Sequence, residues 1–250
     1  MSIFAEGSII SLSATVAFIS RRGMNMKLVM PVFRRRPSRP RRWLLPVMLL
    51  LAGLCVAAAS LPTERAAARY GPRAAALYRE WNQLLGGLQG AEERQKLSEV
   101  NQFFNRRILY REDIDNWGVQ DYWATPLEMF GKGAGDCEDF SIGKYISLLV
   151  LGVSPDKLRL VYVKARIGGP GSTISQAHMV LAYYATPSAE PLILDSLVTS
   201  IDPASQRPDL LPVFSFNAQG LWVGSRSSDV SKLTRWRQVM DKMKNEGFTF

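Results

Sequence analysis

The chain has 250 residues and a formal net charge of +9, a length that suits one sizeable domain with appendages. The basic charge is concentrated near the N-terminus. Residues 1–42 contain nine basic side chains and one acidic side chain, whereas residues 60–250 contain 22 basic and 21 acidic ones. Because the body of the chain is nearly neutral, the composition argues against a nucleic-acid-binding domain.

The first 59 residues have the composition of an export leader. The basic segment RRRPSRPRR precedes 17 uncharged, mostly apolar residues, Trp43–Ala59, which end in an A-x-A cleavage motif. This order predicts a secretory signal peptide. An uncleaved membrane anchor is the alternative, since 17 residues lie near the lower limit for a membrane span. We therefore expect residues 1–59 to be an N-terminal extension with a signal peptide, and residues 60–250 to form a single exported domain.

Helical patterns dominate the first half of the predicted domain. Apolar residues recur at spacings of three and four up to Leu88, and Gly86, Gly87 and Gly90 end this helix. A second amphipathic pattern covers residues 92–107. After an irregular aromatic segment, Pro126 begins a short helix. A longer helix is predicted at residues 137–151, because Gly152 and then a proline mark a stop.

Strand patterns dominate the second half. Three β-type runs are predicted at residues 158–167, 178–184 and 191–197, with turns rich in glycine, proline and serine between them. Prolines between residues 203 and 212 predict an irregular loop, and residues 231–246 predict a closing amphipathic helix. Helices followed by strands indicate an α+β fold with a mostly antiparallel sheet.

Cys137 follows the glycine-rich stretch GKGAGD and is the only cysteine outside the leader. An exported chain with one cysteine forms no internal disulfide, so a structural reason for the thiol is missing. At the first turn of a helix, backbone N–H groups and the helix dipole stabilise a thiolate. The N–H of Cys137 could also supply half of an oxyanion hole. The simpler alternative is a buried free cysteine packed beside glycine turns.

The chain contains a single histidine, His178, which begins one predicted strand, and Asp195 lies near the end of the next. On adjacent antiparallel strands the carboxylate can hold one ring nitrogen while the other nitrogen faces the thiol. This is the nucleophile, base and orienting acid of a cysteine hydrolase. The alternatives are a core histidine bonded to a carbonyl group and an aspartate in a strand-ending turn. The order of the three residues favours the catalytic interpretation.

Three carboxylates, Asp136, Glu138 and Asp139, surround Cys137 in the sequence. As N-cap and first-turn residues they fit ordinary helix capping. Their negative charge would nevertheless disfavour a thiolate at Cys137. A bound divalent cation would remove that penalty, and an all-oxygen ligand set favours Ca²⁺ over Zn²⁺. The sequence therefore predicts a calcium ion at these acids, with capping alone as the alternative.

Ordered blocks from about Trp81 to Trp222 resemble the bacterial transglutaminase-like cysteine peptidases and, within them, the LapG-type periplasmic proteases. The blocks include GAGDCEDFSIGKY at 133–145, QAHMVLAYY at 176–184 and PLILDSL at 191–197. The resemblance implies a papain/transglutaminase-like fold, in which a helical N-terminal part carries the catalytic cysteine at a helix N-terminus packed on the sheet. The implied site residues are the nucleophile Cys137, the base His178, the orienting acid Asp195, and the calcium ligands Asp136 and Glu138, with Asp139 as a further candidate.

The resemblance also implies a function. LapG-type enzymes are calcium-dependent periplasmic endopeptidases that cleave the N-terminal region of a large surface adhesin and so control biofilm release. The implied inhibitor is the periplasmic domain of an inner-membrane cyclic-di-GMP receptor. Two alternatives stay open: a transglutaminase-type acyl transferase, which uses the same triad, and a catalytically inactive binding module. The residues alone do not decide between water and an amine as the acyl acceptor.

Overall fold

The computed structural model describes residues 59–169, 171–224 and 226–250. Nearly all of the predicted leader, residues 1–58, therefore lies outside the described residues. Backbone hydrogen bonding begins at Ser60, whose N–H and carbonyl both pair with Thr249. Among the described residues, none of the helices combines the length and the hydropathy needed to cross a membrane.

The described residues alternate between helices and short strands before the main sheet begins. The helices are α1 (Glu64–Ala68), α2 (Pro72–Gly87), α3 (Glu93–Arg107), α4 (Asp113–Trp117), α5 (Pro126–Lys132), α6 (Cys137–Val150) and α7 (Thr234–Glu246). The strands are β1 (Leu109–Tyr110), β2 (Ala134–Gly135), β3 (Leu158–Arg166), β4 (Ser175–Tyr183), β5 (Leu192–Leu194), β6 (Asp202–Pro203), β7 (Leu210–Phe216), β8 (Leu221–Val223) and β9 (Arg226–Ser228). Helices thus precede most of the strands, which confirms the predicted α+β class.

Local sequence explains where the helices near the site begin. A capping box starts α5: Thr125 accepts a hydrogen bond from the N–H of Glu128, and the Glu128 carboxylate accepts one from the N–H of Thr125. Pro126, at the first helical position, is preorganised for the helix. Gly133, with a φ of 66°, ends α5 in the left-handed region, and only β2 and the N-cap residue separate it from α6.

The main sheet of the described chain is antiparallel and has the order β6-β5-β4-β3-β7-β8-β9. β3 and β4 pair along their whole length, from Leu158 opposite Tyr183 to Arg166 opposite Ser175. β5 pairs with β4 over Leu181–Tyr183 and stops there. The first part of β4 is therefore left with an edge that another element can contact.

The prediction of an irregular loop up to residue 212 was wrong, because β7 begins at Leu210 and pairs with β3. The pairing shifts register between Tyr162 and Val163, so that Tyr162 lies opposite Phe214 while Val163 lies opposite Pro212. Proline, which cannot donate a hydrogen bond, is tolerated at such a bulge. The bulge is therefore what allows a proline-containing segment to join the sheet.

The core fixes α6 between the sheet and the N-terminal helices. Trp81 of α2 is fully buried, and its indole N–H donates to Ser147 Oγ of α6 at 2.8 Å. α3 approaches α6 so closely that a Cβ at Gly143 would lie 2.5 Å from the ring of Phe104. Only glycine permits that approach, since the buried ring has no room to move. The position of the α6 N-terminus is thus set by packing along the rest of the helix.

Candidate active site

The N-terminus of α6 occupies the free edge of β4. Sγ of Cys137 accepts a hydrogen bond from the backbone N–H of Met179, and Ser141 Oγ, one turn further along α6, donates to the carbonyl of Met179 at 3.1 Å. Both polar groups of this buried strand residue are thereby satisfied beyond the end of β5. The contact places the thiol against the peptide group that joins His178 to Met179.

His178 and Asp195 form a buried pair. Nε2 of His178 lies 2.8 Å from Oδ1 of Asp195, and each side chain is 1% exposed. Nδ1 of His178 is buried and has no hydrogen-bond partner among the described residues. The carboxylate thus fixes one ring nitrogen and leaves the other available, as the sequence order of the three residues suggests.

Asp195 is held by more groups than the sequence indicated. Oδ1 also accepts the N–H of Leu197 at 3.0 Å, and Oδ2 accepts Nη2 of Arg207 at 2.7 Å. Its backbone carbonyl accepts Nδ2 of Asn105 and Nζ of Lys144, each at 2.9 Å. Burial alone would raise the pKa of Asp195, but the hydrogen bonds from His178, Leu197 and Arg207 hold that pKa well below its usual range.

The thiol of Cys137 sits in an acidic environment. It is 7% exposed, and Sγ donates to Oε2 of Glu138 at 2.7 Å. Burial raises the pKa of Cys137 well above its usual value, and the charge and hydrogen bond of Glu138 and the charge of Asp136 raise it further. These effects oppose the helix dipole, which by itself favours a thiolate.

A cluster of three buried acids lies next to the thiol. Asp113, Asp136 and Asp139 each place a carboxylate oxygen within 4.8 Å of the others. Two of the three predicted acids are therefore brought together. The third, Glu138, contacts the thiol instead. Asp113 was missed because it lies on α4, far from Cys137 in sequence, where no local pattern marks it as a partner.

Helix capping alone does not account for this cluster. Asp136 occupies the N-cap position of α6, yet its side chain makes no capping hydrogen bond. Oδ1 of Asp113, Oδ1 of Asp136 and Oδ2 of Asp139 are buried without a partner in the described part of the chain. Three unpaired carboxylate oxygens that converge in this way match the donor set of a hard divalent cation.

Burial and mutual repulsion raise the pKa of every acid in the cluster. The pKa of Asp136 rises to about 10, first through burial and then through the charges of Glu138, Asp139 and Asp113. Burial likewise raises the pKa of Asp139 well above its usual value, and that of Asp113 less strongly. The ionised form of the cluster therefore requires positive charge close to the three carboxylates.

The remaining oxygens of the cluster hold the loop before α5. Oδ2 of Asp113 accepts the backbone N–H of Tyr122, and Oδ1 of Asp139 accepts that of Ala124 at 2.7 Å. Trp123, between these two residues, lines a cleft of about 600 Å³ into which Cys137 opens. The loop that forms one wall of the cleft is therefore held in place by hydrogen bonds to the acid cluster.

The rest of the cleft is partly aromatic. The rings of Tyr162 and Phe214 stack with their centroids 5.1 Å apart and line the cleft together with Gln176 and Ala177 of β4. A thiol that lines a cleft and contacts the peptide following a histidine, itself held by a buried carboxylate, fits a thiol hydrolase or acyl transferase.

Comparison with known proteins narrows this class. Residues 87–223 match the family described as bacterial transglutaminase-like cysteine proteinase BTLCP, and because this is more than half of the chain, the protein belongs to that family. The structure of EGTA-treated LapG from Legionella pneumophila is 41% identical, with a TM-score of 0.64, over 72% of this chain and 95% of that chain. The calcium-bound LapG structure from the same organism is 40% identical, with a TM-score of 0.63, over 72% and 96%. A comparison with curated proteins finds no match.

These matches confirm the predicted family, the transglutaminase-like α+β fold and the assignment as a cysteine peptidase.

Lys144 generates a prediction about stability. Burial lowers its pKa from 10.5 to about 7. Between these pH values the unfolded chain binds a proton that the folded chain does not. The free energy of unfolding therefore gains a contribution that rises with pH, by at most about 1.4 kcal/mol per pH unit. We expect the unfolding free energy of the wild type to rise relative to that of Lys144→Met between pH 7.5 and 9.5, as measured by urea denaturation.

The matched control for this experiment is Lys244→Met, which removes an exposed lysine from α7. Its profile of unfolding free energy against pH should run parallel to that of the wild type. Parallel profiles for Lys144→Met as well would contradict the assignment of a lowered pKa to the buried amine.

Proposed function

We propose that this protein is a calcium-dependent periplasmic cysteine endopeptidase with Cys137 as nucleophile, His178 as base and Asp195 as orienting acid. The observation that carries the proposal is the buried 2.8 Å contact between His178 Nε2 and Asp195 Oδ1, with Nδ1 left unpaired within the described chain. The thiol accepts the N–H of Met179, the residue that follows His178, and this supports a pairing of thiol and imidazole. Membership of a cysteine proteinase family supports the same roles.

The chemistry follows from these positions. Nδ1 of His178 accepts the thiol proton, and Sγ of Cys137 attacks the scissile carbonyl to form a C–S bond. The backbone N–H of Cys137, in the first turn of α6, stabilises the developing oxyanion. The imidazolium then gives its proton to the leaving amine as the C–N bond breaks. Water, deprotonated by the same ring, hydrolyses the thioester and restores the thiol.

Asp113, Asp136 and Asp139 are the residues that would hold the calcium ion. Their converging unpaired oxygens fit an all-oxygen ligand set. A bound Ca²⁺ would supply positive charge beside the nucleophile. The acids themselves already bind the loop that contains Trp123, so the same side chains join the metal site to the cleft wall. The neighbouring LapG structures, one calcium-bound and one EGTA-treated, support calcium as the ion.

We further propose that the substrate is the N-terminal region of a large surface adhesin, and that cleavage controls biofilm release. The similarity to LapG and the open cleft above Cys137 support a peptide substrate. The implied inhibitor, the periplasmic domain of a cyclic-di-GMP receptor, stays a prediction of the resemblance. Transglutaminase-type transfer uses the same residues and is the second candidate, whereas an inactive module would not need the intact constellation.

Replacement of the nucleophile tests the catalytic assignment. Cys137→Ala should reduce cleavage of an N-terminal adhesin fragment by at least about 10⁴-fold, because the covalent route is lost. Asp195→Asn should retain more activity than His178→Ala, since it removes orientation and charge but keeps the base. The assay measures cleavage by gel and, with a labelled primary amine present, incorporation of the label.

Substantial cleavage by a folded Cys137→Ala protein would disprove the nucleophile assignment. Label incorporation in place of cleavage would identify an acyl transferase, and neither activity in the wild type would support a binding module. Circular dichroism of each variant controls for folding.

Removal of one cluster acid tests the calcium site. Ca²⁺ at 100 times its Kd should stabilise the wild type by about 2.7 kcal/mol, more than Mg²⁺ at the same concentration. Asp113→Asn should lose most of this stabilisation and the calcium-dependent activity. Asp115→Asn, an exposed acid on the same helix α4, is the matched control and should keep both. Thermal unfolding with added EGTA, Ca²⁺ or Mg²⁺ measures the effect.

Full activity of the wild type in excess EGTA, without metal in the purified protein, would contradict the calcium proposal. In that case the three acids would have a structural role only. A Glu138→Gln variant in the same series shows whether this residue, which the resemblance implies as a ligand, also contributes to calcium binding.

We also propose that export removes the leader after Ala59. The first backbone hydrogen bonds of the described chain are made by Ser60 with Thr249, so cleavage at this point would preserve all of them. N-terminal sequencing of the protein from a periplasmic fraction should therefore begin near Ser60. A mature protein that retains Arg34–Arg42 would instead indicate an uncleaved membrane anchor.

A further inference from the structure

A buried arginine holds the side of Asp195 that faces away from His178. Oδ1 of Asp195 accepts Nε2 of His178 and the N–H of Leu197, whereas Oδ2 accepts Nη2 of Arg207 at 2.7 Å. The side chain of Arg207 is 8% exposed and that of Asp195 is 1% exposed. Both partners of this ion pair are thus withdrawn from water. Removal of one partner of a buried pair is strongly destabilising, because it leaves the other charge buried and uncompensated.

Arg207 is itself fixed by a second carboxylate. Its Nε donates to Oδ1 of Asp209 at 3.0 Å, and its Nη2 donates to Oδ2 of Asp209 at 2.8 Å. This two-point contact matches the planar guanidinium fork, which lysine cannot reproduce. Asp209 is 39% exposed, so a continuous set of charge-assisted hydrogen bonds runs from the surface through Arg207 and Asp195 to the imidazole.

The consequence for His178 is geometric. A carboxylate bound through one oxygen can rotate about its Cβ–Cγ bond and exchange its oxygens. With Arg207 on Oδ2, rotation would break a buried charged contact, so Oδ1 stays directed at Nε2. The N–H of the neutral ring is then kept on Nε2, and Nδ1 keeps the lone pair that must accept the thiol proton. The hydrogen bonds also hold the pKa of Asp195 well below its usual range, against the opposite effect of burial.

We propose that Arg207 is a positioning residue for the catalytic base: it fixes the carboxylate of Asp195 from the side opposite His178, and Asp209 in turn fixes Arg207. The proposal rests on the triad proposed above. Arg207 acts on the reaction through Asp195 and His178, not by contact with the substrate. Its removal should therefore lower kcat and leave KM nearly unchanged.

The single histidine of the chain permits a direct test that needs no substrate. In full-length protein labelled with ¹⁵N-histidine, every imidazole signal belongs to His178. The wild type should show the neutral tautomer with the proton on Nε2 and a slowly exchanging, downfield Nε2–H signal. In Arg207→Gln this signal should broaden and the two ring nitrogens should approach averaged shifts. Arg207→Lys, which keeps the charge and loses the fork, should be intermediate.

Kinetics on the adhesin fragment provide the second readout. Arg207→Gln should lower kcat by roughly 10- to 100-fold, the range found for groups that orient metal-ligating side chains through a hydrogen bond, with KM changed less than about twofold. Asp209→Asn should give a smaller loss in the same direction. Arg79→Gln removes an arginine from an exposed ion pair with Glu64 and should leave kcat, KM and the imidazole signals unchanged.

If Arg207→Gln does not fold, Arg207→Lys and Asp209→Asn decide the question. Wild-type kcat together with wild-type imidazole signals in the folded variants would overturn the positioning role, even if Cys137→Ala is inactive and the proposed peptidase stands. Conversely, undiminished cleavage by Cys137→Ala would refute the triad, while the imidazole signals would still report whether Arg207 fixes the His178–Asp195 pair.

Discussion

The site depends on one contact, between the N-terminus of α6 and the edge of β4 that β5 leaves free. Met179 has both backbone polar groups at this edge, and they are satisfied by Cys137 and Ser141 of the helix. Had β5 continued for two more residues, it would have paired with these groups and excluded the helix. The early end of β5 therefore gives the N-terminus of α6 its place beside β4, the strand that carries His178. It also puts Asp195, the first residue after β5, next to His178.

Acidic side chains at the N-terminus of α6 bring negative charge to the proposed nucleophile, Cys137. Two unit charges at 4.8 Å repel each other by about 3.5 kcal/mol at an effective dielectric of 20. Acids in the first turn of a helix gain only about 0.3–1 kcal/mol each from the dipole. When Asp113, Asp136 and Asp139 are ionised, their repulsion exceeds the gain from the dipole, so capping alone does not explain why all three are present. The cluster is therefore locally unfavourable for the fold, and locally unfavourable arrangements of this kind are typical of functional sites.

The elements near Cys137 and His178 could be predicted because their signals are local. Helix α6 has a glycine-rich stop before it and apolar residues throughout, and β4 has a continuous apolar run. The candidate triad could be predicted for a different reason. The chain has one histidine, and one cysteine outside the leader, so composition leaves a single choice for the base and for the nucleophile. Neither argument required knowledge of tertiary structure.

What the sequence did not reveal depends on contacts between distant segments. β7 contains a proline that is compatible with a strand only because the pairing with β3 has a bulge there, and a bulge is a property of two strands together. Asp113 and Arg207 have no distinguishing neighbours in the chain. Each becomes significant through a single tertiary contact, with the acid cluster in one case and with Asp195 in the other.

The two halves of the site differ in how completely their polar groups are hydrogen-bonded. On the base side, Lys144 and Asn105 hold the backbone of Asp195, while Arg207 and His178 hold its carboxylate. These groups come from α3, α6, β4 and the segment after β6, so their geometry is set by the fold itself.

On the nucleophile side, by contrast, carboxylate oxygens converge without partners in the described structure, and Glu138 takes the hydrogen bond of the thiol. A cation at the cluster would therefore act on the nucleophile and on the cleft loop, which Asp113 and Asp139 contact, while the histidine and its carboxylate are already in place. The proposed control by calcium and the preorganisation of the proposed base are compatible in one site because they would act on different elements.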